Sequence, residues 1–276
     1  MSLKYAYLGP AGTFTQAALQ KIATSSDELI PYANVTAALN AVRSGECTKA
    51  LVPIENSVEG VVARTLDELA SGDQLTICAE VTLPVTFAFM TKPGATAIKR
   101  IGTHPHAESQ CREYIAKNYP HAEVVPTAST SAAAEAVAKG ELDAAIASST
   151  AAEHFGLEIR EENIGDNSGA VTRFICAQKP GWIPDPTGDD RTSMAVFIDI
   201  DHAGALLEIL QVFAKNDVNL TFIQSRPTGR ELGHYHFIID VEGHINDSPV
   251  GKSVEELREI CDDIRFLGSY PREVRS

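Results

Sequence analysis

The feature that most constrains this 276-residue chain is a segment rich in proline and glycine, about two thirds of the way along it. Between Lys179 and Arg191 the segment holds three prolines and two glycines. It cannot continue a helix or a central strand, because proline lacks an amide hydrogen and fixes φ. We therefore interpret 181–191 as a linker between two structural units, 1–180 and 192–276.

In the first unit, apolar runs alternate with helical patterns. Tyr5–Leu8 is a short strand-like run, and Ala50–Ile54 reads as a buried strand. Val35, Leu39 and Val42 recur at the spacing of one helical face. Strands separated by helices predict an α/β fold with a mostly parallel sheet.

A faint internal repeat suggests that this unit has two lobes. A helical pattern that stops at Gly45-Glu46 before the run Ala50-Leu51 recurs later, stopping at Gly140-Glu141 before Ala145-Ile146. Two similar α/β lobes around a cleft would produce this pattern, although chance similarity between α/β units explains it as well. Ligands of open α/β sheets bind beyond the carboxyl ends of the strands, so the loops there are the candidate cleft walls. We assign residues 1–80 and 160–180 to the first lobe and 81–159 to the second.

The second unit has a different order of elements, strand, helix, strand, strand, helix, strand. This order describes a ferredoxin-like α+β sandwich, a topology that hosts many functions. Thr228–Arg230 is the expected turn between the middle strands, and Ser253 with Glu256 has the pattern of a helix capping box. The predicted strands and helices cover Met194–Ile200, Gly204–Lys215, Val218–Ser225, Tyr235–Val241, Ser253–Cys261 and Ile264–Leu267.

Composition excludes several classes of protein. The chain has 23 basic and 37 acidic residues, and its formal charge of −14 disfavours binding to nucleic acid. No apolar stretch is long enough to span a membrane, and no signal peptide is apparent. The five cysteines are odd in number and widely spaced, which favours reduced thiols in a cytoplasmic protein.

Two polar clusters lie in the first lobe. Gly9–Thr15 is a glycine-rich loop from a strand into a helix, where Thr13 or Thr15 can cap the helix near Gln16. Its backbone N–H groups could hold an anion, although an ordinary tight turn has the same residues. Glu55–Ser57 places three polar residues at the end of a buried strand, where they either enter a cleft or cap a helix.

Two more clusters follow further along the chain. His104–Cys111 brings two imidazoles to a helix start, but Pro105 restricts the geometry and no third metal ligand is obvious, so we expect neither metal nor cofactor. Asp166–Phe174 is a polar loop that enters an apolar strand. Arg173 could hold a carboxylate bidentately beside the Thr172 hydroxyl. A strand-edge threonine beside a solvated arginine is the alternative.

In order and spacing, the four clusters resemble the prephenate dehydratase family. The matching motifs are Gly-Pro-Ala-Gly-Thr-Phe at 9–14, Pro-Ile-Glu-Asn-Ser at 53–57, the segment from His-Pro to Gln-Cys at 104–111, and Thr-Arg-Phe at 172–174. Beyond the linker, 204–206 and 225–227 look like the two effector motifs of the ACT domain carried by these enzymes. The resemblance implies a two-lobed, periplasmic-binding-protein-like catalytic region with a cleft, followed by an ACT domain.

The resemblance also implies an activity and a set of sites. It implies a carbon–oxygen lyase that converts prephenate to phenylpyruvate in L-phenylalanine biosynthesis, regulated by phenylalanine in a homodimer or homotetramer. It implies that Thr172 and Arg173 are catalytic, with Arg173 binding a substrate carboxylate. The implied substrate-binding residues are Gly12, Thr13, Thr15, Glu55, Asn56, Ser57, His106, Gln110 and Phe174. The implied effector-binding residues are Gly204, Ala205, Leu206, Gln224, Ser225, Arg226 and Pro227.

Three positions depart from the family pattern. His106 stands where the family has glutamine, Ala170 where an asparagine is common, and Gln224 where a glutamate is common. Alanine cannot replace the hydrogen bonds of an asparagine. The alternative function is therefore a non-catalytic sensor that binds an aromatic acid in a two-lobed cleft.

Overall fold

The computed structural model of the chain describes residues 2–167, 169–198, 202–227 and 235–273, and these residues form three β-sheets. Ser168, the predicted turn at 228–230 and the end of the predicted strand at 199–200 lie outside the described residues. The first sheet has strands from the start of the chain and one strand from just before the linker. Its strands are β1 (Lys4–Leu8), β2 (Glu28–Tyr32), β3 (Lys49–Asn56), β4 (Gly60–Val61), β5 (Thr76–Pro84) and β11 (Val171–Gln178), and its helices are α1 (Phe14–Gln20), α2 (Val35–Ser44) and α3 (Ala63–Ser71).

The second sheet lies entirely between β5 and β11 in the sequence. Its strands are β6 (Ala88–Thr91), β7 (Arg100–Thr103), β8 (Glu123–Pro126), β9 (Ala144–Ala147) and β10 (Glu158–Glu161), and its helices are α4 (Pro105–Ser109), α5 (Arg112–Asn118), α6 (Thr130–Lys139) and α7 (Ser149–Phe155). Both sheets are mixed, not mostly parallel as the sequence suggested. β1 is parallel to β2 and β3, but β11 returns from the second lobe and runs antiparallel to both of its neighbours, β3 and β5.

The repeat seen in the sequence corresponds to one local structure that occurs in each lobe. α2 ends at Gly45 with φ 85° and leads into β3, and α6 ends at Gly140 with φ 83° and leads into β9. Both glycines adopt the left-handed conformation that closes a helix, which residues with a Cβ rarely adopt. The two Gly-Glu stops therefore mark equivalent positions.

The third sheet has the predicted ferredoxin-like order of elements. Its elements are β12 (Asp190–Phe197), α8 (Ala205–Lys215), β13 (Leu220–Pro227), β14 (Tyr235–Glu242), α9 (Ser248–Ile260) and β15 (Asp263–Pro271), and its strand order is β13-β14-β12-β15. The predicted capping box is wrong, because α9 begins five residues earlier than Ser253. Pro249 is accommodated in the first turn, where a missing N–H costs no helical hydrogen bond. The Ser253 hydroxyl donates inside the helix, to the Pro249 carbonyl at 2.9 Å.

The third sheet packs directly on the first lobe. Ile238, Leu267 and Tyr270 share one hydrophobic core with residues of β3 and β11. At Gly268 a Cβ atom would overlap the carbonyl oxygen of Ile77, so glycine is needed for β15 to approach β5. Within the described residues, no helix is long and apolar enough to cross a membrane.

Candidate active site

The glycine-rich loop before α1 lies between the two lobes. Ser148 Oγ, at the start of α7, donates to the Gly12 carbonyl at 3.0 Å, and Ser131 Oγ donates to the Ala11 carbonyl. Thr13, one of the two predicted caps, is the N-cap of α1 and accepts from Gln16 N. The Gly12 N–H donates to Gln16 Oε1 at 2.6 Å, so this amide is already paired. The loop therefore forms a wall of the cleft and connects both lobes.

The catalytic candidate Thr172 is held by the amide of Asn56. Asn56 Nδ2 donates to Thr172 Oγ1 at 2.8 Å, and Thr172 is largely buried. Asn56 Oδ1 accepts from the backbone N–H groups of Val58 and Glu59 at 2.8 and 2.9 Å. These two bonds fix which end of the amide is the donor, since only the oxygen can accept. Asn56 thus presents a hydrogen-bond donor to the threonine oxygen.

A β-bulge between β3 and β11 brings these two side chains together. Phe174 pairs with Pro53, but Arg173 pairs with Glu55, so Ile54 has no partner in the register. A bulge re-aims the side chains that follow it. As a result Asn56 is opposite Thr172, and Glu55 is opposite Arg173 on the other face. Ser57 continues the pairing, exchanging hydrogen bonds of 2.9 Å with Val171 through its N–H and its Oγ.

Helix α4 of the second lobe contacts the turn between β3 and β4 through Glu59. Gln110 Nε2 donates to Glu59 Oε1 at 3.1 Å, and His106 Nδ1 lies 3.4 Å from Glu59 Oε2. His104 caps α4, and burial lowers its pKa, with His106 acting in the same direction. Sequence reasoning did not single out Glu59, and its only signal was its place two residues after Ser57. Ala170, where an asparagine was expected, is buried in the core of the second lobe.

Arg173 lies among protein carboxylates, on the opposite face of β11 from Thr172, and the role expected of it in binding a substrate carboxylate stays a prediction. Its guanidinium lies 2.7 Å from Asp240 Oδ2, 2.9 Å from Glu55 Oε1 and 3.4 Å from Glu80 Oε2. Burial lowers the pKa of Arg173, but Asp240 and the other acidic neighbours outweigh burial and raise it. Arg173 is only 4% exposed, so it is not the solvated arginine of the alternative.

Glu55 and Phe174 also lie away from Thr172's hydroxyl. Because of the bulge, Glu55 pairs with Arg173 in the register, and its side chain contacts the Arg173 guanidinium. Phe174 is 1% exposed and packs in the core with Tyr7 and Leu19 under α1. The roles expected of these two residues in substrate binding stay predictions. Among the other predicted residues, Asn56 contacts Thr172, His106 and Gln110 contact Glu59, and Gly12 contacts Ser148 of the second lobe.

A cavity of about 650 Å³ lies where the first lobe meets the third sheet. It is lined by charged side chains of both signs. The cavity lining is Glu55, Asn56, Ser57, Glu80, Thr82, Val171, Arg173, Asp189, Arg191, Thr221, Arg272 and Glu273.

In the part of the chain that the structure describes, no group of three His, Cys, Asp or Glu side chains could hold a metal ion.

The predicted effector motifs lie at the start of α8 and on β13. Gly204 precedes α8 in a left-handed conformation, with φ 103°, followed by buried Ala205 and exposed Leu206. On β13, Gln224 Nε2 donates to the carbonyl of Ser225. The next two residues close this strand. Arg226 Nε and Nη2 donate to the two carboxylate oxygens of Asp67 on α3, at 2.8 and 2.9 Å, and Pro227 is exposed at the strand end.

Taken together, two α/β lobes, a polar cleft around a held threonine and a ferredoxin-like domain define a two-domain protein with a candidate catalytic cleft. The sequence model of prephenate dehydratase matches residues 5–181, and that of the ACT domain matches residues 196–259. A prephenate dehydratase of Amycolatopsis methanolica is 42% identical over 270 residues, covering 98% of this chain and 88% of the relative. The chain belongs to the prephenate dehydratase family.

Solved structures agree with this assignment of fold. The crystal structure of prephenate dehydratase from Arthrobacter aurescens, in complex with L-Phe, is 46% identical with a TM-score of 0.91, covering 98% of this chain and 90% of that one. A structure described as a novel type of quorum-quenching acylase is 29% identical with a TM-score of 0.87, covering 98% of both chains. The expected two-lobed catalytic region with a C-terminal ACT domain is thus confirmed.

Proposed function

We propose that this chain converts prephenate into phenylpyruvate, with loss of water and carbon dioxide, in L-phenylalanine biosynthesis. The observation that carries the proposal is the 2.8 Å hydrogen bond from Asn56 Nδ2 to Thr172 Oγ1. A hydroxyl oxygen that accepts from an amide keeps its own hydrogen available to donate. Such a donor can stabilise a leaving group on which negative charge develops. The ring hydroxyl of prephenate is a leaving group of this kind.

In this reaction two bonds to the ring break. The ring carboxylate leaves as carbon dioxide, its bonding electron pair enters the ring, and the hydroxyl departs as hydroxide, which takes up a proton to become water. The product ring is aromatic, so aromatisation supplies the driving force and the enzyme's main task is orientation. An alcohol is a poor acid at neutral pH, so we assign Thr172 the donation of a hydrogen bond and not of its proton.

The substrate is a dianion, and we assign it hydrogen-bond donors and a helix start as partners in the cleft. We assign this role to the hydroxyl of Ser57, which is hydrogen-bonded to Val171 beside Thr172, and to the imidazole of His106 and the amide of Gln110, which both contact Glu59. The N–H groups of residues 13–15 belong to the first turn of α1, whose dipole favours an anion. Gly12 contributes its backbone to the wall but not its paired N–H. With Arg173 bound to protein carboxylates, we assign it no substrate contact.

The test is to incubate the purified chain with prephenate and follow phenylpyruvate. Thr172→Ala should lower kcat by on the order of 10²-fold, because one positioned donor is lost. Thr172→Ser keeps the hydroxyl and should retain most of the activity. Near-normal turnover by Thr172→Ala would contradict the role of Thr172. Binding of prephenate by the wild-type chain without turnover would favour the sensor instead.

An acyl-hydrolysing function, named for one structural neighbour, is not supported by the geometry at Thr172. A threonine nucleophile needs a base that accepts its proton. Within the described residues the Thr172 side chain forms one hydrogen bond, and its partner is the amide donor of Asn56, which cannot act as a base. The arrangement therefore suits donation by the hydroxyl better than attack by it.

We propose L-phenylalanine as the effector of the ACT domain, bound near 204–206 and 224–227. The relative from Arthrobacter aurescens, solved with L-Phe, supports this choice of ligand. Regulation requires a coupling free energy between two sites, typically 1–3 kcal/mol. The test compares rates of prephenate turnover with and without phenylalanine, and equal rates would remove the regulatory part of the proposal.

We also propose a homodimer or homotetramer that assembles through the ACT domain. β13 is an edge strand of its sheet, and such an edge offers unpaired backbone groups to a second copy. Leu206, Leu207 and Ile223 are exposed on the same domain, between 38% and 57%. Light scattering of the purified chain gives the mass of the assembly.

For the location we propose the cytoplasm, since all five cysteines are free thiols.

A further inference from the structure

We infer that Asp240, a residue of the ACT domain, positions the catalytic threonine by acting through Arg173. Asp240 Oδ2 accepts from Arg173 Nη2 at 2.7 Å, and both side chains are buried. Arg173 directly follows Thr172 on β11, so a contact that fixes Arg173 also restricts the backbone of Thr172. The inference deepens the proposed dehydratase activity and rests on it.

Asp240 is itself rigidly held inside the ACT domain. Ser193 Oγ donates to Asp240 Oδ1 at 2.6 Å, and the same hydroxyl lies 2.7 Å from the Tyr270 hydroxyl. Arg191 Nη1 lies 3.5 Å from Asp240 Oδ2. The carboxylate thus has one oxygen anchored in its own domain and the other directed at the catalytic lobe. Asp240 therefore holds the Arg173 guanidinium in place.

Arg173 joins three strands through its carboxylate partners. Glu55 is on β3, Glu80 on β5 and Asp240 on β14. Including Arg191, the buried cluster has two cations and three carboxylates. Loss of the charge of Asp240 leaves two of each sign, so no uncompensated cation remains. The variant Asp240→Asn is therefore expected to fold.

The connection to the active site passes through neighbouring residues of two strands. On one face of the sheet Glu55 contacts Arg173, and on the other face Asn56 donates to Thr172. Two consecutive residues of β3 thus hold two consecutive residues of β11. When Arg173 loses Asp240, its guanidinium shifts toward Glu55 and Glu80, and the backbone between the two contacts moves with it. A displacement of this kind misdirects the Thr172 hydroxyl without removing any group that touches the substrate.

The kinetic test uses Asp240→Asn, with Glu256→Gln as the matched control. Misplacement of a catalytic group by about 1 Å can cost up to 10²-fold in rate, so we expect kcat to fall by about tenfold with KM changed by less than about twofold. Ser193→Ala loosens Asp240 without changing any charge and should lower kcat in the same direction, by about threefold. Glu256 pairs with Lys215 at 3.1 Å elsewhere on the ACT domain, and its loss should leave kcat unchanged. Wild-type kcat values in both Asp240→Asn and Ser193→Ala would overturn the inference.

Hydrogen exchange separates this inference from the proposed function. In Asp240→Asn, amides at the start of β11, residues 171–174, should exchange faster than in the wild type or in Glu256→Gln. Unchanged exchange there would overturn the inference, whatever the kinetics. Absence of prephenate turnover by the wild-type chain would overturn the proposed function instead.

Discussion

Three consecutive residues of β11 have three different surroundings. Thr172 meets the Asn56 amide at the cleft, Arg173 enters a buried ion-pair cluster, and Phe174 fills the core under α1. Alternation along a strand explains why Arg173 faces away from its two neighbours. The segment Thr-Arg-Phe thus combines one side chain that meets Asn56 with two that are buried elsewhere.

At the residue scale, the direction of the hydrogen bond at Thr172 can be tested at Asn56. In Asn56→Asp the carboxylate cannot donate and instead accepts the threonine hydrogen, which is then lost to the leaving hydroxyl. We expect kcat to fall by on the order of 10²-fold, as for removal of a positioned donor. In Asn56→Ala the hydroxyl is less well fixed but its hydrogen stays available, so the loss should be smaller. Steady-state kinetics of both variants give the order, and a more active Asn56→Asp would contradict the assignment.

At the scale of elements, the turn between β3 and β4 connects the two lobes with the catalytic strand. Asn56, the last residue of β3 before this turn, holds Thr172, and Glu59 in the turn contacts Gln110 and His106 of the second lobe. One short segment therefore both contacts the second lobe and holds the threonine. The contacts of Glu59 are partly exposed, so each contributes at most about 1 kcal/mol.

Glu59→Gln should weaken closure of the cleft. The new amide oxygen can still accept from Gln110, but the carboxylate oxygen that lies 3.4 Å from His106 Nδ1 is lost. We expect KM for prephenate to rise by up to about fivefold, because at most about 1 kcal/mol is removed. The control is Glu153→Gln, an exposed change on α7 that should leave KM unchanged. Equal KM values for Glu59→Gln and the wild type would show that closure does not depend on this contact.

The sequence predicted elements better than it predicted side-chain directions. Local signals sufficed for the N-cap at Thr13, the left-handed helix end at Gly45 and the order of strands and helices in the ACT domain. The surroundings of Arg173 could not be predicted, because they depend on a bulge at Ile54 and on Asp240 in a distant strand. Both are tertiary features, and the sequence Thr-Arg is the same whichever way the arginine side chain points.

At the scale of the whole molecule, the ACT domain and the catalytic region are joined by ion pairs to which each region contributes an arginine. Arg173 of the catalytic region pairs with Asp240 of the ACT domain, and Arg226 of the ACT domain pairs with Asp67 of α3. Arg226 belongs to the predicted effector motif. A ligand that changes the position of this motif would therefore act on α3 directly, which gives regulation a physical route.

Close packing of β15 on β5 is the contact on which this docking depends, and Gly268 makes it possible. Gly268→Ala would place a methyl group on the backbone of Ile77 and would also strain a backbone with φ 143°. We expect the free energy of unfolding to fall by about 2–4 kcal/mol, since neither backbone can yield easily. Gly188→Ala is the matched control, because its φ is 87° but no atom lies near the new methyl, so it should cost only about 1 kcal/mol. Denaturant unfolding measures both, and equal losses would mean that backbone strain, not the approach of the two strands, sets the requirement for glycine.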